Sequence, residues 1–191
     1  MIDWGRSLVD MVGAFFASMA VLRYLLEGVV PKRPNPLMKL AVTLTEFALQ
    51  WIRPVLAPLP GRDRSALFWA WFLDLVMSLS HLSWHVLEVE GAGVWHLLPW
   101  GMALATVDVV RQILYVWMAA VFLLAVLSWI NPYSPLLGAV EGLVQPFLRV
   151  LRRFIRPLGS IDLSPVILML FFQFSLTVGV GALEMLVQRF M

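Results

Sequence analysis

The chain alternates between long apolar runs and shorter segments in which apolar and polar residues follow a helical period. Four of the runs are long enough to cross the ~30 Å hydrocarbon core of a bilayer as helices. These predicted spans cover about residues 8–30, 65–82, 108–130 and 164–186. Segments 37–55 and 136–156 carry polar side chains along one face, so each predicts an amphipathic helix in the membrane interface. The pattern therefore predicts an all-α integral membrane protein.

The two halves of the chain resemble each other at a constant offset of 99 residues. Polar residues and prolines recur at matched positions, which are Pro36/Pro135, Arg53/Arg152, Pro58/Pro157, Asp63/Asp162 and Ser65/Ser164. We therefore predict two tandem repeats, residues 1–90 and 91–191. Each repeat consists of a transmembrane helix, an interfacial amphipathic helix and a second transmembrane helix.

Short polar residues before or beside prolines predict where these helices begin. Asn35 and Ser164 are predicted N-caps, followed by Pro36 and Pro165 at the first helical position, and Ser65 is the predicted N-cap of the second span. The remaining turns and caps are assigned to Asn131, Pro132, Ser134, Pro135, Gly159 and Asp162. These polar residues are explained by structure alone, so we expect no catalytic role for them.

Four arginines form one stripe in the second amphipathic segment. Arg149, Arg152, Arg153 and Arg156 are spaced i, i+3, i+4 and i+7, which places them on one helix face. The apolar residues expected on the other side are Phe147, Val150, Leu151, Phe154 and Ile155. Because the flanking segments are spans, the stripe predicts binding to anionic lipid or to a membrane-protein partner rather than to nucleic acid. Its counterpart in the first half is Arg53.

Composition and charge support a membrane protein and suggest its orientation. Apolar residues make up 61% of the chain and charged residues 14%, whereas a soluble domain carries about 25% charged residues. Lysine and arginine are frequent in 31–64 and 141–162 but absent between Arg64 and Arg111. We predict that those two segments face the cytoplasm of a bacterial inner membrane, with both termini in the periplasm.

Polar residues inside the spans suggest further sites. Asp74 and Gln173 are candidates for an intramembrane polar site. For Asp74 this is either a proton or cation site or a protonated or hydrogen-bonded contact within the bundle. His81 and His85 share a helix face and are weak haem candidates, although interfacial imidazoles that merely hydrogen-bond are commoner. Further ion pairs are predicted at i, i+4 and i, i+3 spacings, Arg23 with Glu27 at the interface and Asp108 with Arg111 at the outer end of the third span.

The second half also resembles a known family. The order Ser128-Trp129-Ile130-Asn131-Pro132-Tyr133-Ser134-Pro135, an arginine-rich segment, Gly159-x-Ile-Asp-Leu-Ser-Pro165 and an apolar run ending Phe172-Gln-Phe174 is similar to the YggT family of small bacterial and plastid membrane proteins. The resemblance implies a multi-pass membrane protein. Relatives in that family are linked to cell-division gene clusters, nucleoid distribution in plastids, haem insertion into a plastid b-type cytochrome, and potassium uptake under osmotic stress.

These observations favour a scaffold, assembly factor or accessory protein that binds a partner, a second copy of itself or anionic lipid. One alternative is a component of potassium or osmotic-stress transport, and another is a haem or cytochrome assembly factor. The absence of cysteine excludes thiolate metal sites and cysteine nucleophiles. With no nucleophile–base pair, phosphate loop or metal triad in view, we expect no enzyme activity, no resident metal and no cofactor.

Overall fold

A computed structural model of the chain describes residues 3–29, 35–56, 62–89, 94–154 and 163–190. Within those ranges the chain consists of helices and short turns, and no strand occurs. The predictions for Arg156, Gly159 and Asp162 fall outside the described residues. The fold class is all-α, as the sequence predicts.

Three helices form the first half of the structure. They are α1 (Asp3–Val29), α2 (Pro36–Ile52) and α3 (Arg64–Val89). The two long helices, α1 and α3, pack against each other, and α2 contacts both. The middle helix thus closes one end of a helical pair.

The second half contains four more helices and two irregular turns of helix. A 3₁₀ turn at Val94–Leu97 leads directly into α4 (Leu98–Ile130). The chain then forms α5 (Leu137–Phe154), α6 (Ser164–Phe174), a π-helical segment (Ser175–Val180) and α7 (Gly181–Phe190). Here α5 contacts α4 and α6, and α7 continues from α6 through the π-helical segment and also packs on α4.

Four helical stretches are long and apolar enough to cross a membrane. They are Trp4–Val29, Arg64–Ser83, Trp95–Ile130 and Ser164–Phe190. The predicted number of spans is confirmed. The third begins at Trp95, well before the predicted start at about residue 108, because tryptophan and histidine suit both a membrane interface and a helix that continues past it. Pro99 instead lies in the first turn of α4, where a missing backbone N–H costs no intrahelical bond.

The helix starts are predicted with mixed success. Asn35 caps α2 as expected, because its side-chain oxygen accepts a hydrogen bond from the Leu37 N–H at 3.0 Å. The prediction that Ser65 caps α3 is wrong, since Oδ1 of Asp63 accepts from the Ser65 N–H at 3.0 Å. Ser164 is likewise the first residue of α6 rather than its N-cap. Pro165 is therefore the second helical residue and not the first. Proline fits either position, because the backbone N–H groups of the first helical turn have no intrahelical partner.

Two apolar clusters hold the bundle together. One joins α1, α4, α5 and α6 and is centred on Leu26, Val121, Leu143 and Phe172. Within it the Phe172 ring stacks on Trp117 at a centroid distance of 5.9 Å and meets Phe147 edge-on at 5.3 Å. The other cluster joins α1, α2 and α3 through small side chains, namely Ala17, Ala20, Val21, Leu49, Ala66 and Ala70. Small residues let helix backbones approach closely where lipid supplies no hydrophobic driving force.

The buried face of α2 differs from the one that its periodicity suggests. Its large apolar residues, Leu40, Phe47 and Trp51, are exposed, and its buried residues are Ala41, Thr45, Ala48 and Leu49. A helix at a membrane surface has two apolar environments, the bundle and the lipid. Apart from Leu49, the bundle side of α2 carries small side chains, and the larger Leu40, Phe47 and Trp51 face outward.

Replacing Phe172 with alanine should destabilise the bundle by on the order of 3 kcal/mol. The ring is 1% exposed and its removal would leave a cavity between Trp117 and Phe147. Phe174→Ala is the matched control, because that ring is 63% exposed. Thermal unfolding of the detergent-solubilised variants measures the difference, and equal melting temperatures would contradict the packing described here.

Candidate functional site

The arginine stripe lies on the outer face of α5. Arg149, Arg152 and Arg153 are exposed and, with Gln145, border a shallow hollow of about 300 Å³. The opposite face of the helix is buried in the bundle through Val140, Leu143, Val144 and Leu148. Burial of that apolar face is what turns the guanidinium groups outward. Pro146 lies inside the helix and does not divide it.

The surroundings of the stripe are apolar as well as basic. Val150, predicted to face inward, is 56% exposed between the arginines. Trp129, Ile130 and Tyr133 are also exposed, where α4 ends and the turn to α5 begins. The side chains of Phe154 and Ile155 are not described.

The turn between α4 and α5 uses the predicted polar residues. Oδ1 of Asn131 accepts a hydrogen bond from the Tyr133 N–H at 3.3 Å, and Oγ of Ser134 accepts from the Leu136 N–H at 3.3 Å. Each hydrogen bond spans one proline, Pro132 in the first and Pro135 in the second. The turn is therefore held by its own side chains, and α5 is assigned from Leu137, two residues after Pro135.

A buried arginine joins the ends of the first three helices. Arg23 is 4% exposed, and its guanidinium lies 3.2 Å from Glu27, 3.0 Å from Thr45 and 2.8 Å from Glu46. A fourth partner, Asp63, lies at 3.8 Å. The predicted pair of Arg23 with Glu27 is confirmed. Arg23 does not extend to the surface, however, because two other elements supply partners inside the bundle.

Arg53 belongs to the same network and not to the basic surface of α5. Its Nη atoms contact both carboxylate oxygens of Glu46, at 2.5 and 3.1 Å, and its Nε donates to Asp63 at 2.8 Å. Arg53 is predicted from the sequence, together with Arg149, as a lipid or partner ligand. The structure shows in addition that it pairs with Glu46 and Asp63, which the 99-residue offset alone does not indicate.

The network shifts the proton affinities of its members. Burial opposes the ionised form of Glu46, but hydrogen bonds from Arg53 and Arg23 outweigh it and leave the pKa below its ordinary value. Burial likewise opposes ionisation of Asp63, and hydrogen bonds from Arg53 and Ser65 lower its pKa overall. A hydrogen bond to Glu46 is the largest influence on Arg53 and raises the pKa of its guanidinium. All three groups are therefore held charged.

A polar cavity of about 540 Å³ lies between α1, α3, α4 and α7. Its charged and titratable lining residues are Asp10, Asp74, His81, Asp108, Arg111, Tyr115 and Glu184. Arg111 bridges two of them, with Asp108 at 2.6 Å and Glu184 in direct contact. The predicted pair of Asp108 with Arg111 is confirmed, although it lies well inside α4 rather than at its end. The contact of Glu184 with Arg111 is not predicted from the sequence, because no local periodicity relates two residues that are 73 positions apart.

Asp74 lies at the most buried part of this cavity. It is 1% exposed, and its Oδ1 accepts a hydrogen bond from Nε2 of Gln112 at 2.8 Å. Within the described part of the chain, Oδ2 of Asp74 and Oε1 of Gln112 have no hydrogen-bond partner. The other residue predicted for an intramembrane site, Gln173, is not part of the cavity lining. It is exposed and its side chain contacts Thr177 at 3.4 Å.

The haem candidates are only partly described. Nε2 of His81 lies 3.2 Å from Oδ2 of Asp10 at the rim of the cavity. The side chain of His85 is outside the description, although its backbone is part of α3. Among the described side chains, no three His, Asp or Glu residues converge to hold a metal ion. The contact that the structure shows for His81 is therefore with the carboxylate of Asp10.

Comparison with known proteins identifies the relationship. The model of the CCB3/YggT family matches residues 2–84 and 103–183. The chain belongs to the CCB3/YggT family. This confirms the resemblance carried by the motif in the second half and extends it to the first.

Curated relatives of this CCB3/YggT protein align along most of its length. An uncharacterized protein of Pseudomonas aeruginosa is 26% identical over 161 residues, which cover 83% of this chain and 79% of the relative. An uncharacterized protein of Haemophilus influenzae is 28% identical over 154 residues, covering 80% and 78%. No solved structure matches. The family is therefore established by sequence, and the site is described from this chain alone.

Replacing Arg23 with methionine should destabilise the protein strongly, by about 3 kcal/mol or more, because Glu27, Glu46 and Asp63 would lose their shared buried cation. Arg189→Met is the control, since Arg189 is exposed in the last turn of α7. Chemical unfolding in detergent compares the two variants. A loss for Arg23→Met no larger than for the control would show that the network contributes little.

The network should also make stability fall in acid. Folding lowers the pKa of Glu46 below its ordinary 4.5 and that of Asp63 below 3.8, so the unfolded chain binds protons first. Their stabilising contribution is complete above about pH 4.5 and is lost as the pH falls through the folded values. As the pH is lowered, the melting temperature of the Glu46→Gln variant should therefore fall less steeply than that of the wild type. Glu141→Gln, at an exposed position of α5, should leave the profile unchanged.

Proposed function

We propose that this protein is a non-enzymatic membrane scaffold or accessory protein that binds anionic phospholipid headgroups through the basic face of α5. The observation that carries the proposal is the exposed position of Arg149 and Arg153 on a helix whose opposite face is buried in the bundle. That burial fixes which way the guanidinium groups point. The proposal needs no conformational change.

Headgroup chemistry matches this surface. A guanidinium forms paired hydrogen bonds with phosphate oxygens, and near an anionic bilayer each basic residue contributes on the order of 1 kcal/mol. Gln145 borders the same hollow and can donate from its amide. The exposed Val150 between the arginines would meet acyl chains.

The position of α5 supports contact with a bilayer surface. Trp129 and Tyr133 are exposed just before it, and such amphipathic rings are typical of the level of lipid headgroups. We infer that α5 lies at the cytoplasmic surface of a bacterial inner membrane. The basic segments 31–64 and 141–162 then share that side, and both chain termini are periplasmic.

We further infer that the two halves are tandem copies of one unit. In support, α2 contacts both α1 and α3, and α5 contacts both α4 and α6. The family model also matches two stretches of similar length, 2–84 and 103–183. In this arrangement the amphipathic helix of each copy lies at the same membrane surface. The two copies differ at their arginines, because Arg53 pairs with Glu46 and Asp63 whereas Arg149 and Arg153 are exposed.

Replacing Arg149 and Arg153 together with glutamine should weaken binding of phosphatidylglycerol or cardiolipin by roughly 10- to 30-fold. Native mass spectrometry of the purified protein, titrated with each lipid and with phosphatidylcholine, measures the effect. Lys39→Gln with Arg64→Gln is the matched control. It removes the same charge from exposed basic positions of the first half.

Two results would contradict the lipid proposal. One is equal affinity for anionic and zwitterionic lipid in the wild type. The other is normal lipid binding by the Arg149/Arg153 variant together with loss of a co-purifying protein, which would identify the face as a protein-docking surface.

A second candidate function is an ion-transport component. The polar cavity supports it, because carboxylates line the cavity between helices that are long and apolar enough to span a membrane.

A further inference from the structure

Asp74 differs from the other carboxylates that line the cavity between α1, α3, α4 and α7. Asp10 faces His81, and both Asp108 and Glu184 contact Arg111. Among the described residues, Asp74 has only the neutral amide of Gln112 as a hydrogen-bond partner. Four carboxylates thus line the cavity around a single guanidinium, and Asp74 is the most buried of them.

The cavity becomes more enclosed toward Asp74. The side chain of His81 is 53% exposed and that of Asp10 is 35% exposed, which identifies this end as the mouth. Along α3, Asp74 precedes His81 by seven residues, or roughly 10 Å of helix. Ser78 lies between them and donates to Asp108 at 3.4 Å. Polar side chains therefore continue from the mouth to the floor.

Apolar packing closes the cavity beyond Asp74. Ala70, one turn earlier on α3, is completely buried with Ala66 against Ala17, Ala20 and Val21 of α1. That cluster separates the cavity from the ion-pair network around Arg23. On the α4 side the lining continues to Tyr115, which is 49% exposed. We call the part of the cavity between His81 and Asp74 the vestibule.

The free atoms at the floor are all acceptors. Oδ2 of Asp74 and Oε1 of Gln112 lack a hydrogen-bond partner within the described part of the chain, and both side chains are at least nine-tenths buried. A buried carboxylate is costly unless a positive group compensates it. An anionic or purely accepting ligand would add to that cost. The floor therefore favours an occupant that donates a hydrogen bond or carries positive charge, such as a proton, a water molecule or a cation.

We propose that the vestibule admits water and binds a small monovalent metal cation between the Asp74 carboxylate and the Gln112 carbonyl oxygen. One carboxylate and one amide oxygen supply hard oxygen ligands with a single negative charge. No three His, Asp or Glu side chains converge in the described structure, so the donor set does not suit a transition metal. A volume of about 540 Å³ leaves room for the ion to keep part of its water shell.

The chain contains no cysteine, so single cysteines introduced into it report on one position each. Ser78→Cys lines the vestibule, and Val76→Cys, two residues away on α3, is the control because Val76 is 50% exposed outside the cavity. Each variant is reconstituted in liposomes and treated from either side with membrane-impermeant cationic or anionic thiosulfonates. The rates of thiol modification are then measured again with sodium or potassium replacing choline at constant ionic strength.

The proposal expects Ser78→Cys to react from one side only, at least roughly tenfold faster with the cationic reagent. Sodium or potassium should slow that reaction about threefold or more relative to choline. Val76→Cys should react poorly under all conditions. Absence of labelling at Ser78→Cys, or equal rates for the two reagents, would overturn the water-filled acidic vestibule.

Two second-site changes test the binding site itself. Asp74→Asn should lower the preference for the cationic reagent and abolish the slowing by alkali ions. Gln112→Leu keeps the charge, so it should retain the reagent preference and lose most of the ion effect. Alkali ions that never slow labelling, or that slow it equally in Asp74→Asn, would show that no metal cation binds here. Gel filtration of each variant confirms that it is folded.

Discussion

The Arg23 guanidinium is the interaction on which the first half of the structure depends. It lies inside the bundle and is shared by Glu27 of its own helix, Thr45 and Glu46 of α2, and Asp63 before α3. A charge in that position is stable only if all of its partners remain in place. The network therefore determines how α2 crosses the ends of α1 and α3, and with it which side chains of α2 face lipid.

The second half holds its amphipathic helix by different means. Val121, Leu143, Phe172 and the rings around them supply the contacts between α4, α5 and α6. Within the described part of the chain, Arg149 and Arg153 have no carboxylate contact of the kind that joins Arg53 to Glu46. Position 145 is a glutamine where the first half has Glu46. The amide at this position carries no charge, so it cannot form the ion pair that Glu46 forms with Arg53 in the first half.

Periodicity and length predicted the helices and the four spans because those properties depend on neighbours along the chain. The spacing of Arg23 and Glu27 predicted their pair for the same reason. The start of α4 was misplaced because tryptophan and histidine suit both an interface and a helix that continues past it. The contacts that define the cavity, Asp74 with Gln112 and Arg111 with Glu184, join distant positions and depend on how the helices pack. No local pattern carries that information.

The π-helical segment at Ser175–Val180 has a consequence for α7. A π turn accommodates about one residue more than an α turn, and each α-helical residue advances the direction of the side chain by roughly 100°. The extra residue therefore resets the phase of everything that follows it. Glu184 points at Arg111 because of that reset, while residues of α6 such as Phe172 keep the phase that packs the core. One irregular turn therefore lets the continuous helical stretch Ser164–Phe190 present apolar side chains to the core at one level and an acidic side chain to the cavity at another.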